Sequence, residues 1–556
     1  MAVPLGLLGF AAGVFPIFES DLFWHLATGR WILAHGAVPR IDPFRFGPEP
    51  LAWVDHEWLF QVVVRGVELA ASFDGLILLR AAALAGFALL LWAATRRAGL
   101  AHGLAGLVTL FAVLGVRPRF LVRPEIVTLY AVVLLLVGLE RWLADAGRGW
   151  KGVVPLLLLT VVWVQFHGEA LLAPGLAFLF LAGGALGGRA RWREAIGIPA
   201  LLAAALLANP YGWRLIEVPL GILGALSDLP AHNPEWMSAF EAPQPFLFGG
   251  LAAVAALAVV ARSRSGGWAA PEWALPTVAM AAVALSGVRH QALFYAVGAP
   301  YAARCLAALP EVAALDARMR RRLAGAAAIL CALAAAWCVA PPASGPLRPR
   351  HGGLAWGFGI AEGRFPVRMA EALAERPGIG PLYNELVHGG YLLWRLHPPR
   401  RVFLDGRMEL EPELLREIAA ARTSAADWDR LLADRGAVGA LVRYETRPVP
   451  VFEPDGRGGF RPAGTSTANA LLFPPERWAL ADWDDEAMLF LRPGDPAWPE
   501  APYRFVQPED VEGTLGRAAA DPAFRAGVLA ELDRKLAALP GCRRALALRE
   551  AILRPR

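Results

Sequence analysis

Residues 153–186 read VVPLLLLTVVWVQFHGEALLAPGLAFLFLAGGAL. Two apolar runs, 153–166 and 171–186, are separated by only four residues, among them His167, Gly168 and Glu169. A helix needs about 20 predominantly apolar residues to cross the hydrocarbon core of a bilayer. The pattern therefore predicts two rather short membrane-spanning helices joined by a tight turn that carries ionisable side chains.

The same pattern recurs through the first 340 residues. Hydrophobic residues make up 56% of the 556 residues and charged residues only 19%, a balance that is not typical of a protein with water as its only solvent. We predict an α-helical polytopic membrane protein with about eleven spanning helices in residues 1–340. A linker (341–364), an outer α/β domain (365–500) and a helical tail (501–556) follow. The predicted spans are residues 3–18, 76–95, 104–116, 126–143, 153–166, 171–186, 196–208, 246–261, 273–287, 292–309 and 323–340.

Charge and cysteine content exclude several kinds of protein and site. The net charge of +5 comes largely from arginines in short loops between apolar runs, which fits a topogenic role and not nucleic-acid binding. Of the four cysteines only Cys542 lies outside the apolar runs, so the outer domain has no disulfide framework or zinc site. Residues 1–18 lack a basic n-region and a small-residue cleavage pattern, and we interpret them as a retained first helix.

The basic loops predict the orientation. If the N-terminus is cytoplasmic, these loops all fall on the cytoplasmic side, while a long first outer loop (19–75) and the C-terminal domain lie outside. If residues 58–73 crossed the membrane, the later basic loops would no longer fall on the cytoplasmic side. These residues are therefore predicted to lie flat at the interface. We expect a multi-pass protein of the bacterial cytoplasmic membrane. The basic residues are Arg96, Arg97, Arg148, Lys151, Arg189, Arg191, Arg193, Arg262, Arg264, Arg318, Arg320, Arg321 and Arg322.

The first outer loop begins with two acids, Glu19 and Asp21. A partly dehydrated carboxylate at a membrane boundary can act as a base or as a cation ligand. The alternative is that the two acids only mark the boundary. The next residues predict an amphipathic helix lying on the membrane. Its buried face would carry Leu22, His25, Leu26 and Gly29.

The second outer loop is short and basic, against the usual preference for basic loops inside. Arg117, Arg119 and Arg123 precede Glu125. Guanidinium groups suit bidentate phosphate binding, so a lipid phosphate is the natural partner. Pairing with Glu125 and with anionic lipid headgroups is the alternative.

Other ionisable residues stand in short outer turns. His167 and Glu169 divide one pair of apolar runs, and Arg289 divides another. Such residues are candidates for function, with helix–helix hydrogen bonding as the alternative. We add Arg289 to the predicted phosphate-binding arginines. The candidate metal ligands or acid partners are Glu125, His167, Glu169, His25 and His56.

The C-terminal region predicts an α/β domain. Apolar bursts at 381–383, 401–405, 439–444 and 488–491 are predicted strands of a small doubly wound sheet. Loops after parallel strands often bind ligands, although these residues could equally cap and pin the turns. The tail after residue 508 predicts two or three helices. The candidate acceptor-side residues are Asn384, Gly389, Gly390, Tyr391, Asp405 and Arg407.

The arrangement resembles the GT-C superfamily of membrane glycosyltransferases. The resemblance rests on the first-loop acids, on the basic and acidic second loop, on a C-terminal outer domain, and on the Asp-x-x-Trp-His-Leu and Asp-Gly-Arg patterns that begin at Asp21 and Asp405. Members take sugar from a polyprenyl-phosphate carrier. The resemblance implies that Asp21 or Glu19 is the base or a cation ligand, and that Arg119, Arg123 and Glu125 contact the carrier phosphate or a metal.

Two departures limit this resemblance. The Trp-Trp-Asp triplet of oligosaccharyltransferases is absent, although residues 388–394 and Asp405 are similar in placement to their acceptor-reading segment. Glu19-x-Asp21 replaces Asp-x-Asp, which leaves open whether Mg²⁺ or Mn²⁺ is needed.

The predicted function is inverting transfer of a sugar from a polyprenyl-phosphate donor to an unknown glycan, lipid or protein acceptor on the outer face. It requires the first-loop acids to meet the second-loop arginines. The alternatives are a scaffold that binds lipid-linked glycans without turnover, and a transporter, which would place ionisable residues near span centres.

Overall fold

The computed structural model divides the chain into two compact units. We call the first, Met1–Glu19, Thr28–Val38 and Val54–Ile360, the membrane unit. We name the second, Ser20–Ala27, Pro39–Trp53 and Ala361–Arg556, the outer unit after the predicted outer domain that it contains. Residues 341–355, most of the predicted linker, and Arg148 lie outside the described residues. The structure describes residues 1–47, 49–145, 149–225, 234–242, 244–340, 356–445, 449–454, 460–493, 495–498 and 500–554.

Apolar helices dominate the chain as far as residue 339. All eleven predicted spans overlap one of them, and five described helices are long and apolar enough to cross a membrane. The helices are α1 Ala2–Gly13, α2 Asp21–His35, α3 Trp58–Arg96, α4 His102–Val116, α5 Glu125–Ala144, α6 Val154–Phe166, α7 Leu172–Leu186, α8 Trp192–Ala205, α9 Glu217–Ala225, α10 Pro245–Ser265, α11 Pro271–Ser286, α12 Gln291–Ala307, α13 Pro310–Ala313 and α14 Ala317–Val339.

Helix α1 packs closely against α3 through small residues. A Cβ atom added to Gly9 or Gly13 would lie 2.6 Å from the Cα atom of Ala85 or Ala81, respectively. This backbone approach is typical of membrane helices, whose association depends on close packing and not on a solvent-driven hydrophobic effect. Helix α1 ends at Gly13, five residues before the predicted end, and the Arg80 guanidinium donates to the Gly13 carbonyl at 2.9 Å.

Helix α3 is broken at Ala71 and Ser72, whose backbone angles are not helical. Ser72 has a φ of 55°, which is strained for a residue with a side chain. The break falls within two residues of the predicted end of the interfacial segment 58–73. The segment and the following span are therefore two helical pieces within one long element.

The prediction of an amphipathic surface helix after Asp21 is wrong in one respect. Helix α2 is present, but residues 22–29 are all buried, so this part of the helix has no face exposed to water or lipid. In the outer unit, Phe23 packs against the rings of Phe365 and Tyr391 at 4.7 and 5.0 Å between centroids. Aromatic packing thus replaces the expected lipid contact.

The outer unit contains a mixed sheet, which corrects the predicted doubly wound parallel sheet. The strands are β1 Leu382–Asn384, β2 Gly439–Arg443, β3 Val449–Pro454, β4 Phe460–Ser466, β5 Ala479–Trp483 and β6 Ala487–Leu491. Their order is β1-β2-β6-β5, with β1 and β2 parallel and the other pairs antiparallel, and β3 and β4 form a separate hairpin.

Residues 401–405 form no strand of this sheet, so that prediction is wrong. Val402 pairs instead with the segment around Arg45, and its N–H donates to the Phe44 carbonyl at 3.0 Å. Residues 402–405 are buried, but the hydrogen-bond partner of Val402 lies more than 350 residues earlier in the chain.

Short helices precede, separate and follow the strands along the chain, and helices are present in the predicted helical tail. The Glu531 carboxylate of the tail accepts the backbone N–H groups of Arg504, Phe505 and Val506 at 2.7–3.0 Å. The helices are α15 Val367–Ala374, α16 Leu386–Leu396, α17 Pro412–Ala421, α18 Ala425–Asp434, α19 Ala468–Leu472, α20 Val511–Ala520, α21 Pro522–Ala538 and α22 Arg543–Leu553.

Candidate active site

Two arginines of the second loop converge on one carboxylate in the membrane unit. Arg119 Nη1 lies 2.7 Å from Glu235 Oε1, and Arg123 Nη1 lies 3.0 Å from Glu235 Oε2. The loop between the arginines is anchored by three buried apolar side chains at positions 120–122. This anchoring fixes the direction of both guanidinium groups.

A third arginine joins them through a second carboxylate. Arg289 Nη2 lies 3.5 Å from Glu125 Oε1, and Arg119 Nη2 lies 3.9 Å from the same oxygen. The Arg289 guanidinium also stacks over the Trp236 ring, 4.3 Å from its centroid. We call Arg119, Arg123, Arg289, Glu125, Glu235 and Trp236 the guanidinium cluster.

Glu19 contacts the loop that carries two of these arginines. It is buried, and its Oε1 accepts the Val122 N–H at 3.3 Å. Its Oε2 is buried without a hydrogen-bond partner among the described residues. A buried carboxylate oxygen without a donor is costly, and Arg80 interacts electrostatically with it. One predicted first-loop acid therefore reaches the second loop.

Arg117 does not contact the guanidinium cluster, unlike the other predicted phosphate-binding arginines. Its Nε donates to the Ala12 carbonyl at 3.2 Å, and its guanidinium lies 6.0 Å from the ring centroids of Phe15 and Trp337. These contacts are typical of a residue that fastens α1, and they give Arg117 a packing role.

A chain of alternating histidines and carboxylates lies in the same unit. His167 Nε2 is 3.5 Å from Glu57 Oε1, and His167 Nδ1 is 3.3 Å from Glu169 Oε2. His56 extends the chain at Glu57 and His290 extends it at Glu169, at 3.6 and 3.8 Å. The structure thus brings three of the predicted metal or acid partners together.

Burial keeps the end histidines neutral. It lowers the pKa of His56 to about 4, with help from the neighbouring His167, and it lowers the pKa of His290 to about 4 although Glu169 acts in the opposite direction. At neutral pH both imidazoles can donate one hydrogen bond and accept one.

The other predicted first-loop residues belong to the outer unit. Asp21 hydrogen-bonds with the Ser20 hydroxyl at 3.4 Å, and a Cβ atom at Gly406 would clash with its Oδ1. His25 is buried, and its ring stacks on Trp24 at 3.7 Å between centroids. The prediction that Asp21 meets the second-loop arginines stays a prediction.

Asp405 and Arg407 form a closed ion pair in the outer unit. Both are buried, and Arg407 donates through Nε and Nη2 to the two carboxylate oxygens at 2.9 and 2.6 Å. Arg407 Nη1 reaches Asp42 at 2.9 Å, and Arg45 lies 3.6 Å from Asp405. Ionic partners hold the Asp405 pKa below its usual range against the effect of burial. The pair pins the fold and presents no open group to a ligand.

The remaining acceptor-side candidates also have structural contacts. Asn384 donates to the Leu404 carbonyl at 2.7 Å and accepts the Phe403 N–H at 2.8 Å. Helix α16 lies so close to this segment that a Cβ atom at Gly389 would lie 2.8 Å from the Asp405 Cα atom. Gly390 makes a similar approach to residues 20–24, and Tyr391 stacks on Phe365.

Solved structures resemble the chain, whereas no protein-family model and no curated protein matches it. The archaeal oligosaccharyltransferase AglB from Archaeoglobus fulgidus, in complex with an inhibitory peptide and a dolichol-phosphate, aligns with a TM-score of 0.52 and 12% identity over 83% of this chain and 73% of that chain. The apo form of the A. fulgidus oligosaccharyltransferase aligns with a TM-score of 0.53 and 11% identity over 83% and 74%. The chain has the GT-C fold. The form of the A. fulgidus enzyme tethered to an acceptor peptide with the NVT sequon aligns with a TM-score of 0.52 and 12% identity, over 84% of this chain and 74% of that chain.

The predicted resemblance to the GT-C superfamily is thereby confirmed at the level of the fold. Identities of 11–12% say nothing about which side chains act, because one fold hosts many sites. Assignments within this GT-C fold must therefore come from the contacts of its own residues.

Three residues of the site were missed from the sequence. Glu235 and Trp236 lie between α9 and α10, and Glu57 neighbours the predicted His56. An acidic–aromatic pair in a predicted outer loop was the available signal. Its pairing with arginines more than 110 residues away cannot be recognised from spacing.

The predicted divalent cation has no ready-made site within the part of the chain that the structure describes. Among the described residues, no group of three or more His, Cys, Asp or Glu side chains is arranged to hold a metal ion. The nearest neighbours of Glu125 and Glu235 are guanidinium groups, which neutralise the oxygens that a cation would need. Mg²⁺ or Mn²⁺ stays a prediction, and no chemical step depends on it.

Proposed function

We propose that the chain transfers a sugar from a polyprenyl-phosphate donor to an acceptor at the outer face of a bacterial cytoplasmic membrane, with the guanidinium cluster as the phosphate site. The observation that carries the proposal is the convergence of Arg119 and Arg123 on one carboxylate, at 2.7 and 3.0 Å. Two guanidinium groups that hold two carboxylate oxygens can hold two phosphate oxygens in the same way. The GT-C fold supports this choice of chemistry.

The reaction is a direct displacement. The acceptor oxygen bonds to the anomeric carbon while the bond from that carbon to the phosphate oxygen breaks, which inverts the configuration. The electron pair leaves with the polyprenyl phosphate, whose growing charge Arg119 and Arg123 neutralise. A carboxylate takes the acceptor proton. General base catalysis contributes about 10²–10⁴-fold, and removing one donor of an oxyanion site costs about 10²–10³-fold.

Glu19 and Asp21 are the two candidates for the base. The contact between Glu19 and Val122 supports Glu19, because it places this carboxylate at the loop that carries the phosphate arginines. Its second oxygen has no donor among the described residues, and an oxygen of this kind is available to accept a proton. Asp21 stays the alternative that the family resemblance implies.

Binding of undecaprenyl phosphate tests the phosphate site. Arg123→Ala in the purified full chain is expected to weaken binding at least tenfold, because one charge-assisted bond to phosphate is lost. Arg264→Ala is the matched control, since that arginine is 60% exposed and only weakly paired. Equal affinity of the Arg123 variant and the control would refute the phosphate site.

Transfer from labelled undecaprenyl-phosphate sugars to endogenous acceptors in membranes tests catalysis. The base is the residue whose replacement, Glu19→Gln or Asp21→Asn, abolishes transfer but leaves undecaprenyl phosphate binding intact. Full transfer by both single variants would exclude both acids as the base.

Binding without turnover is the second candidate function. The same arginines fit this function as well, because guanidinium groups can hold a phosphate whether or not its bond to the sugar is broken. A scaffold predicts tight undecaprenyl phosphate binding and no transfer from any labelled donor.

A further inference from the structure

The outer unit contains a large polar cleft that is separate from the guanidinium cluster. Its volume is about 1020 Å³, and it lies between residues 41–47 and 49–51 on one side and helices α17 and α18 on the other. Pockets that bind small molecules usually measure about 300–1,000 Å³. The cleft is therefore large enough for a ligand of several rings.

The buried ion pairs of the Asp-Gly-Arg motif hold one wall of this cleft. Arg407 donates to Asp42 at 2.9 Å, and Arg45 donates to the Arg407 carbonyl at 2.7 Å. The Asp42 N–H also donates to the Leu51 carbonyl at 2.8 Å, which closes the segment on itself. The wall is thus fixed before any ligand arrives, and a rigid wall lowers the entropic cost of binding.

The cleft carries more negative than positive charge. Four arginines line it, and two of them are already paired with lining carboxylates. Arg435 lies 2.5 Å from Glu411 and 2.6 Å from Glu417, and Arg430 lies 3.0 Å from Asp427. The lining carboxylates are Asp42, Glu49, Glu411, Glu417, Asp427 and Asp434, which gives a net charge of −2.

Two of these carboxylates are available to a ligand. Glu49 and Asp434 are exposed at the cleft and have no ion-pair partner among the described residues. Phe46 and Leu431 supply apolar surface in the same cleft. Carboxylates that accept from hydroxyl and ammonium groups beside apolar patches suit a sugar ring, which has polar edges and an apolar face.

We propose that the cleft binds an oligosaccharide that carries free amino groups. The negative charge selects against anionic glycans, because a carboxylate or phosphate on the ligand would be repelled by the cleft. This binding does not depend on the proposed function.

The experiment measures binding of four probes to the full chain in detergent by isothermal titration. The probes are a glucosamine tetramer, its N-acetylated form, a galacturonate tetramer and a tetralysine peptide. The glucosamine tetramer is expected to bind at least tenfold more tightly than each of the others. The double variant Glu49→Gln/Asp434→Asn should lose that preference. Glu413→Gln, an exposed carboxylate of α17 that does not line the cleft, should keep it.

Each other outcome overturns a defined part of the proposal. Tetralysine that binds as tightly as the glucosamine tetramer would show that the cleft binds positive charge and not sugar. Equal binding of the N-acetylated tetramer would remove the amino-group requirement, and no binding of any glycan would refute the site. Arg123→Ala should leave the glucosamine affinity unchanged, so that a failure of the donor site and a failure of the cleft are distinguishable.

Discussion

Replacing Glu235 with glutamine tests whether this carboxylate competes with the donor phosphate for Arg119 and Arg123. The carboxylate engages both guanidinium groups at 2.7–3.2 Å. A hydrogen bond to a charged group contributes about 1.5–3 kcal/mol net. When phosphate displaces Glu235, this contribution of the broken contact is subtracted from the free energy of phosphate binding. At 1.4 kcal/mol for each factor of ten, Glu235→Gln should tighten undecaprenyl phosphate binding about 10- to 150-fold.

Titration of undecaprenyl phosphate into the purified variant provides the measurement. Glu241→Gln is the matched control, because it removes an equal charge from the same outer loop and its carboxylate contacts Ser238 instead of an arginine. The melting temperature without ligand should fall in Glu235→Gln, since two guanidinium groups lose their partner, and undecaprenyl phosphate should restore it. An unchanged affinity in a variant that folds normally would refute the competition.

Mild acid should not reproduce the effect of this substitution. Burial alone would raise the pKa of the Glu235 carboxyl, but Arg123 and Arg119 outweigh it and hold that pKa well below its usual range. A depressed folded-state pKa means that the ion pairs are complete above the unfolded value near 4.5 and are lost only as the pH falls through the lower folded value. Between pH 7 and pH 5, the wild-type chain should therefore show no gain in undecaprenyl phosphate affinity that depends on Glu235. Such a gain would mean that the Glu235 carboxyl is not held between Arg119 and Arg123.

Three further predictions follow from the same contacts. Asp405→Asn should destabilise the outer unit by about 3–5 kcal/mol, because it leaves the fully buried Arg407 charge with one ionic partner fewer, while undecaprenyl phosphate affinity stays unchanged; an unaltered melting curve would contradict this. His56 and His290 have folded pKa values of about 4 against 6.5 unfolded, so their contribution to stability is present above pH 6.5 and lost as the pH falls through 4. The melting temperature should accordingly drop more between pH 7 and pH 4 in the wild-type chain than in His56→Gln/His290→Gln. Treatment with EDTA should leave undecaprenyl phosphate binding intact, because arginines supply the proposed contacts. A loss of binding that Mg²⁺ or Mn²⁺ reverses would show that a cation holds the phosphate.

The helices of the membrane unit could be predicted from sequence because their signal is local. A run such as residues 126–143 must satisfy its own backbone hydrogen bonds wherever lipid surrounds it, so apolar length alone identifies the helix. The helix ends were less predictable. Helix α1 ends at Gly13, and Arg80 of another helix caps it, which no pattern within residues 1–18 indicates.

The errors concern contacts between distant segments. Residues 401–405 have the composition of a strand, but they pair with residues near Arg45 and not with the sheet. The ionic partner of Arg407 was unpredictable for a related reason, because Asp42 lies more than 350 residues earlier in the chain. The role of Asp405 and Arg407 as ligand contacts stays a prediction. Glu235 was missed because its two arginines lie more than 110 residues away.

The charge balance of the guanidinium cluster explains why arginines occur on the predicted outer side. Arg119, Arg123 and Arg289 face two directly paired carboxylates, Glu125 and Glu235, so the cluster has a net charge of +1. A polyprenyl-phosphate sugar is a phosphodiester with one negative charge, and it would complete this balance.

Polyprenyl phosphate, the product, carries more negative charge at neutral pH, and the cluster cannot neutralise it fully while both carboxylates stay in place. Product release should therefore be assisted by Glu235, whose return displaces the phosphate. The same Glu235→Gln substitution that tightens binding is then expected to slow turnover under multiple-turnover conditions without slowing a single turnover.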